Sequence, residues 1–400
     1  MSAFKIISEF VSKKENLINS VLLYMLTALC AFNLVFWNVS MVDKATIAGG
    51  AAVISIMFIV NIKYLKSWQF CLVLLNMLSL TMTLVLNQSK GLGVVLTAFY
   101  LTISIVLYNT ITFDKRSIII SRAVLCGAVF LLFAMSKYQK TNKGNWIQIS
   151  DIITNGKINN NSIAILIAAL IFLLAVLLKS YYESERKGSL LTVGIITIIG
   201  IAFAYTFGGR IAITSIAIFF VLLMLRGVKI KTSLYRHICI ILFILALIFP
   251  MIYIYLYHSI GNFDFMGKNF FTGREKIWDL AFEQIATHPI FGSGTALNYG
   301  NNGDSTHNAV LEIWKSVGVI PLITVIICFF KRRYEYIKLE DRAIIAFLII
   351  MFTESFFMDS HFSFIFLAIM LRSHDQVEAD LQKTRFEKWV DQKVLNKRKA

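Results

Sequence analysis

The amino-acid sequence predicts an all-α, polytopic integral membrane protein with about twelve transmembrane helices and a long outer loop that carries an amphipathic helix. The chain is 57% hydrophobic and only 16% charged over its 400 residues, whereas soluble domains contain about 25% charged residues. Its mean hydropathy is +0.70. The apolar residues form blocks of roughly 16–22 residues, the length of a transmembrane helix. We therefore treat residues 1–400 as one membrane domain.

Each apolar block is assigned to one span, bounded by short polar segments. The predicted spans are 17–37, 46–62, 69–87, 92–110, 117–135, 161–178, 189–207, 211–225, 238–256, 309–330, 343–358 and 362–371. The first is predicted to be a true transmembrane helix, because it is long for a signal peptide and lacks a small-x-small cleavage site. All five cysteines fall within spans, so no disulfide framework is predicted.

The formal net charge of +16 comes from lysines and arginines that concentrate in alternate polar segments. If the segment after the first span faces outward, the inside-facing segments hold most of the 39 basic residues. The positive-inside rule then places both termini in the cytoplasm. The charge is thus a topology signal, and no nucleic-acid partner is predicted. Residues 373–400 are predicted to be a cytoplasmic basic tail that contacts anionic lipid.

The two long outer segments are the places where chemistry is expected, because the inside-facing loops are short and hold no Gly-rich phosphate-binding motif. Residues 136–160 are polar and Asn-rich, and they either cover the outer mouth or form a solvated loop. Residues 257–308 are the longer segment, and loops of this length are usually functional. Within it, 273–289 has apolar residues at helical spacing, which predicts an amphipathic helix in the membrane interface with Trp278 near the headgroups.

Three polar side chains stand out at the predicted outer face. Arg210 follows two glycines in "FGGR", and it either snorkels to the interface or lies over the protein interior after a tight glycine turn. Arg274 lies in the first turn of the predicted amphipathic helix, where the helix dipole disfavours a cation, so either solvent screens it or an anion binds there. His307 lies in "STHN", where helix capping accounts for the Ser, Thr and Asn but not for the histidine.

These three side chains suit a transfer reaction that starts from a diphosphate. Guanidinium groups bind phosphate oxygens in a bidentate manner, and a histidine can accept a proton near neutrality. No nucleotide donor is expected outside a bacterial cytoplasm, so the energy would come from an activated lipid such as a polyprenyl-diphosphate-linked sugar. Asp304 is a candidate to orient His307. No cluster of two histidines and a carboxylate occurs in the outer loops, so no metal is predicted.

The ordered set of motifs resembles the O-antigen ligase and Wzy-type O-antigen polymerase superfamily of bacterial envelope enzymes. The motifs are "GGR" followed by a span, then "W-x₆-I-x₂-H-P-I-F-G-x-G", then "H-N-x₃-E" in "HNAVLEIWKSVGVI". The resemblance is strongest over residues 207–320. "NNNSIAI" at 159–165 is also similar to the Asn-containing entry to a span in these proteins.

The resemblance implies a metal-independent, inverting glycosyltransferase of the GT-C kind, without a cofactor. Arg210 and Arg274 match the arginines that hold the diphosphate, and His307 matches the base that takes the proton of the acceptor hydroxyl. Further candidates for supporting roles are Asn308, Glu312, Asp304, Gly209 and Lys276.

We favour a polymerase, which joins glycan repeat units carried on undecaprenyl diphosphate at the periplasmic face of the bacterial inner membrane. Its expected partners are the lipid-linked donor, a glycan acceptor and membrane lipids, and a chain-length regulator protein is a further candidate. An O-antigen ligase, which passes the polymer to lipid A–core, shares the same three residues. A lipid-linked oligosaccharide flippase is the alternative of another class, but the polar groups gather on one face and no internal repeat is evident.

The remaining titratable residues are given structural roles. His258, His288 and His361 lie in outer segments, and we interpret them as structural. The centres of the predicted spans are nearly free of charge, with Arg122 and Glu354 as exceptions, because a charge inside the membrane is costly.

Overall fold

The computed structural model describes residues 3–86, 91–140, 147–151, 153–178, 187–261, 263–265, 268–271, 273–295, 297–299, 302–330 and 336–372. These residues contain fourteen α-helices. The helices are α1 Ala3–Val35, α2 Ser40–Asn61, α3 Ser67–Leu86, α4 Leu92–Tyr108, α5 Lys115–Met135, α6 Asn160–Leu177, α7 Lys187–Thr206, α8 Arg210–Met224, α9 Thr232–Ile260, α10 Arg274–Thr287, α11 Ala309–Val317, α12 Val319–Phe330, α13 Leu339–Ile350 and α14 Ser360–Met370. The predicted all-α class is confirmed in this part of the chain, since the strands are short.

Strands occur only in the connections of the described ranges. They are β1 Lys137–Lys140, β2 Ile147–Ser150, β3 Lys157–Ile158, β4 Asp264–Phe265, β5 Lys268–Asn269, β6 Leu297–Tyr299 and β7 Asn302–Asp304. β1, β2 and β3 form an antiparallel sheet, and the β4–β5 and β6–β7 pairs form antiparallel hairpins. Sequence analysis did not predict these strands, because segments of two to four residues are too short to show an alternating pattern.

Six helices are long and apolar enough to cross a membrane: α1 from Glu15 onward, α2 with the 3₁₀ turn that follows it, α3, α5, α6 and α9. Shorter apolar stretches, of 10–17 residues, occur in α4, α7, α8, α12 and α14. The chain is therefore a multi-pass membrane protein, while the number of twelve spans stays a prediction. The predicted basic tail, 373–400, lies outside the described residues.

Helix α6 lies at the centre of the bundle. It packs against α5, α7, α8, α13 and α14. Of its 18 residues, which form one apolar stretch long enough to span a membrane, 72% are buried in the protein. In α9, only 28% of the most apolar stretch of 18 residues is buried. Ile241, Ile244 and Ile248 are among the exposed side chains of this helix. Because both helices are apolar all round, burial in protein and contact with lipid cannot be told apart from hydropathy alone.

Hydrogen bonds between turns define two ends of the bundle. At one end, the backbone N–H of Asn38 donates to Oδ2 of Asp151 at 3.2 Å, and His361 stacks on Trp37 with ring centroids 4.0 Å apart. At the opposite end, the N–H of Phe113 donates to the carbonyl oxygen of Arg372 at 2.9 Å. We call the first the site end, defined by residues 36–39, 137–140, 147–151, 153–158 and 351–361.

Arg122 is buried at the opposite end and satisfies helix carbonyls. Its guanidinium donates to the carbonyl oxygens of Ala368, Ile369 and Leu371 at 3.1–3.2 Å. These carbonyls lie at the C-terminal end of α14, where they lack intrahelical partners and carry the negative end of the helix dipole. The charge that was unexplained in the sequence therefore has a structural role.

Two predicted spans are interrupted or shortened in the structure. The predicted span 309–330 is broken into α11 and α12 at Gly318, which has a φ of +88°. The span 343–358 was wrong at its C-terminal end, because α13 stops at Ile350 and the chain then forms a turn and a 3₁₀ helix at Phe356–Met358. Both irregular segments lie beside the polar residues described below.

The break at Gly318 is held by the loop that follows α10. The backbone N–H groups of Ser293 and Gly294 donate to the carbonyl oxygens of Lys315 at 2.7 Å and Ser316 at 2.9 Å. These are the terminal carbonyls of α11, which need external donors. A Cβ on Gly318 would overlap the carbonyl oxygen of Ile290, so the position requires glycine for both space and φ.

Gly318→Ala is therefore expected to lower the free energy of unfolding by about 1 kcal/mol or more, since alanine is strained at positive φ and here also clashes. The measurement is the thermal midpoint of the purified protein in detergent, followed by tryptophan fluorescence. Gly127→Ala is the matched control, because a Cβ at Gly127 meets nothing within 4 Å. Equal midpoints for the two variants would contradict the assignment.

Candidate functional site

Arg210 is positioned by a tight turn between α7 and α8. Gly208 has a φ of +69°, and the N–H of Gly209 donates to the carbonyl oxygen of Ala204 at 3.1 Å. A Cβ on Gly209 would overlap the Cβ of Ala164 in α6, so glycine is needed for the turn to reach the central helix. Arg210 then begins α8, beside the centre of the bundle.

Arg274 begins α10, directly after Gly273, whose φ is +84°. Its Nη2 donates to Oε1 of Glu354 at 3.0 Å, and the two side chains are only 16% and 11% exposed. The sequence left open whether solvent or an anion offsets this cation at a helix N-terminus. The anion is the carboxylate of Glu354, supplied by the turn after α13.

The apolar face of α10 packs on protein, which corrects the position predicted for Trp278. This side chain is fully buried, and its Nε1 donates to the carbonyl oxygen of Thr306 at 2.6 Å. Its ring meets those of Tyr253 and Phe249 edge-on, with centroids 4.8 and 5.9 Å apart. The prediction of a headgroup position was wrong, because an amphipathic pattern fits a protein groove as well as a lipid interface.

His307 is held in a left-handed backbone conformation with a φ of +50°, which is uncommon outside glycine. The preceding residue is fixed from both sides. The N–H of Thr306 donates to Oε2 of Glu312 at 2.6 Å, and its carbonyl oxygen accepts the bond from Trp278. The Nδ1 atom of His307 lies 3.4 Å from Oε2 of Glu354, and the imidazole is 27% exposed.

Asn308 is the N-cap of α11 and links three segments. Its Oδ1 accepts from the N–H groups of Val310 and Leu311, both at 3.0 Å. Its Nδ2 donates to the carbonyl oxygens of Ala246 at 2.8 Å and Phe352 at 3.2 Å. The Ala246 carbonyl is available because Pro250, four residues later in α9, has no N–H to donate to it. The predicted capping role is confirmed, and Asn308 is completely buried.

Glu312 holds the loop that carries His307 (residues 305–308, called the histidine loop) and also neutralises a buried cation. Its Oε1 accepts from Nζ of Lys315 at 2.9 Å and from Oγ of Ser316 at 3.1 Å. The Lys315 side chain is 0% exposed. Glu312 therefore acts on His307 through the backbone of Thr306.

Glu354 is the residue that sequence reasoning missed. It joins Arg274 to His307 through its two oxygens, and it lies in the turn that had been assigned to a span. Its signal in the sequence was a single carboxylate inside an apolar stretch, which a membrane protein rarely carries without a function. The sequence did not show that both partners would come from the segment 274–307.

Two cavities at the site end meet at Glu354, which lines both. The smaller, of about 230 Å³, has walls formed by Asn161, Gly208, Arg210, Ile211, Thr214, Phe249, Tyr253, Phe270, Arg274, Thr353 and Glu354. The larger, of about 390 Å³, is lined by His307 together with acidic and hydroxyl side chains. Arg210 and Arg274 thus share one cavity, and His307 faces the other.

The other predicted residues are placed as follows. Gly209 forms the turn before Arg210, whereas Lys276 is exposed on α10 and lines neither cavity. Asp304 ends β7, but its side chain lies outside the described part of the structure. Among the described side chains, the carboxylate that contacts His307 belongs to Glu354. His258 and His288 are exposed.

A scan against protein-family models found no match to this chain, and searches of curated proteins and of solved structures found none either. Function is therefore argued from the site itself.

Lys315→Met should lower the free energy of unfolding by roughly 3–5 kcal/mol, because it leaves the Glu312 carboxylate buried without its cation. Chemical denaturation of the detergent-solubilised protein measures this loss. Lys276→Met, on the exposed face of α10, is the matched control and should change stability by less than about 0.5 kcal/mol. A small effect of Lys315→Met would show that the buried ion pair does not stabilise the histidine loop.

Proposed function

We propose that the protein is a membrane glycosyltransferase that polymerises glycan repeat units. It would transfer a glycan from undecaprenyl diphosphate to an acceptor sugar hydroxyl, with the site end at the periplasmic face of a bacterial inner membrane and both termini in the cytoplasm. The supporting observation is the chain of contacts from Arg274 through Glu354 to His307, with Arg210 in the same cavity as Arg274.

The smaller cavity suits the diphosphate end of a lipid donor. Among the described residues, its walls carry two guanidinium groups, those of Arg210 and Arg274, beside the carboxylate of Glu354. Guanidinium groups match phosphate oxygens in geometry as well as charge. Ile211 and Phe249 add apolar walls from α8 and α9. Helix α9 also carries exposed aliphatic side chains, which suit contact with a polyprenyl chain.

His307 suits the role of general base toward the acceptor. Its Nδ1 faces the Glu354 carboxylate, so a proton on Nδ1 is directed to that acceptor and Nε2 is left with its lone pair. The same arrangement of carboxylate and imidazole orients the base in other hydrolases and transferases. The carboxylate also stabilises the imidazolium that forms when Nε2 accepts a proton.

The proposed step forms one bond and breaks one bond. The acceptor hydroxyl oxygen attacks the anomeric carbon of the donor from the face opposite the diphosphate, and its proton passes to Nε2 of His307. The bond between the anomeric carbon and the phosphate oxygen breaks, and the electron pair leaves with undecaprenyl diphosphate. Arg210 and Arg274 would neutralise the charge that develops on the leaving group.

His307→Ala is expected to reduce glycan transfer by roughly 100- to 10,000-fold, the usual contribution of a general base. The measurement is the envelope glycan profile of a strain lacking the gene and carrying either variant. Single-repeat product without the gene, and a ladder restored by the wild type but not by His307→Ala, is the result expected for a polymerase.

His258→Ala, an exposed histidine beside the same loop, is the matched control and should restore the full ladder. Bare lipid A–core together with long polymer on its carrier lipid would indicate a ligase instead. Restoration of the same ladder by wild type and His307→Ala would reject the assignment of the base.

Arg210→Ala and Arg274→Ala should each weaken binding of undecaprenyl diphosphate by roughly 10- to 100-fold, the worth of a hydrogen bond to a charged group. Thermophoresis of the protein in lipid nanodiscs measures the dissociation constant. His307→Ala should bind this lipid like the wild type, and so should Arg236→Ala, an exposed arginine at the opposite end of α9. Unchanged binding in both cavity variants would exclude the smaller cavity as the diphosphate site.

A further inference from the structure

The larger cavity differs from the smaller one in charge. Among the residues that the structure describes, its lining includes four carboxylates, from Asp43, Glu312, Glu354 and Asp359. Glu312 is paired with Lys315 and Glu354 with Arg274, so the negative charge that distinguishes this cavity comes from Asp43 and Asp359. The smaller cavity is lined by two arginines and one carboxylate. An anionic diphosphate would be repelled by the larger cavity, whereas a neutral ligand rich in hydroxyl donors would not. Its volume of about 390 Å³ lies within the range of roughly 300–1,000 Å³ typical of small-molecule sites.

One carboxylate oxygen of Asp359 accepts hydrogen bonds from the protein, and the other has no described protein donor. Its Oδ1 accepts from the backbone N–H of His361 at 2.8 Å and contacts Nδ1 of the same residue at 2.9 Å. No donor within the described ranges contacts its Oδ2. The side chain is 37% exposed, so this oxygen can accept a hydrogen bond from a ligand. The imidazole of His361 is fixed in turn, because it stacks on Trp37 and its Nε2 lies 3.3 Å from the Trp37 carbonyl oxygen.

Asp43 repeats this arrangement from α2. Its Oδ1 accepts from Nδ2 of Asn33 at 3.4 Å and from Oγ of Ser360. Its Oδ2 likewise has no donor among the residues that the structure describes. Asp43 and Asp359, held by different helices, therefore both line the cavity of His307, and each has one oxygen without a protein donor among the described residues.

We propose that the larger cavity is the binding site for the acceptor sugar, whose hydroxyl groups donate to Oδ2 of Asp43 and Oδ2 of Asp359. This assignment rests on the proposed glycosyltransferase function and adds the part of the site that selects the acceptor. Charge-assisted hydrogen bonds to carboxylates are stronger than those to neutral acceptors. The acceptor hydroxyl would then lie on the same side of Glu354 as His307, across from the diphosphate.

The test uses the full-length protein in lipid nanodiscs and two separate probes. One is the free repeat-unit oligosaccharide, released by mild acid from the lipid-linked intermediates of a strain lacking the gene. The other is undecaprenyl diphosphate. The double variant Asp43→Asn with Asp359→Asn should bind the oligosaccharide about 10-fold more weakly, since the charge-assisted bonds are lost. Its dissociation constant for undecaprenyl diphosphate should stay within about 2-fold of the wild-type value, since that lipid occupies the other cavity.

Asparagine retains the oxygen that caps α14, so the double variant is expected to fold. Asp279→Asn, an exposed position of α10 that lines neither cavity, is the matched control and should bind both probes like the wild type. Equal oligosaccharide binding by wild type and double variant would overturn the acceptor assignment, as would no binding by the wild type. So would tight binding of Ca²⁺ that requires Asp43 and Asp359 in place of sugar binding.

These outcomes are separable from failure of the proposed function. If binding of undecaprenyl diphosphate depends on the arginines and the glycan ladder requires His307, the proposed transferase function is supported, regardless of the oligosaccharide-binding result. If neither holds, the proposed function fails and the acceptor site fails with it.

Discussion

A carboxylate removed from water costs several kcal/mol unless cations and donors surround it, and the site is organised around one such group. Glu354 is buried: 8% of the whole residue and 11% of its side chain are exposed. One oxygen accepts from Arg274 at 3.0 Å and the other lies 3.4 Å from Nδ1 of His307. Its partners come from α10 and from the loop before α11, so the charge can be stabilised only when both segments are docked on the turn after α13. The electrostatic requirement of one side chain thereby fixes the relative positions of an arginine and a histidine that are far apart in the sequence.

The same loop is fixed independently by groups that carry no net charge. Asn308 reaches the Ala246 carbonyl that Pro250 leaves without a donor, and Trp278 donates to the carbonyl oxygen of Thr306. A proline inside an apolar helix normally weakens it, but here the unsatisfied carbonyl is used to attach α9 to the site. These bonds hold His307 at a positive φ, a strained conformation that persists only where its surroundings determine it. An imidazole held in this way would not need to be reorganised when substrate binds, which is a condition for efficient proton transfer.

Much of this arrangement follows from the sequence, and the exceptions have physical causes. Helix α10, the cap at Asn308 and the turn at Gly208 depend on local patterns, so local reasoning reached them. The position of Trp278 was wrong because hydropathy cannot distinguish a protein groove from a lipid interface. Glu354 was noticed as an isolated charge, but its partners depend on the docking of three segments, and no local pattern records that. The end of α13 was missed for a related reason. Residues 351–358 are apolar enough to continue a span, but tertiary hydrogen bonds, such as the one from Asn308 to the Phe352 carbonyl oxygen, hold them in a turn.

Opposite charge on the two sides of Glu354 limits how two substrates could meet. An anionic leaving group would be favoured beside Arg210 and Arg274 and disfavoured beside Asp43 and Asp359, so the proposed donor would have one favoured orientation. A neutral sugar is not driven by net charge and would be held by directional hydrogen bonds, which depend on the positions of its hydroxyls. Selection of the donor would therefore rest on electrostatics that any lipid diphosphate satisfies, while selection of the acceptor would rest on geometry. Such a division would let the proposed transfer mechanism serve different glycans through changes in the acidic cavity alone, because the residues proposed to neutralise the diphosphate and to accept the proton would not need to change.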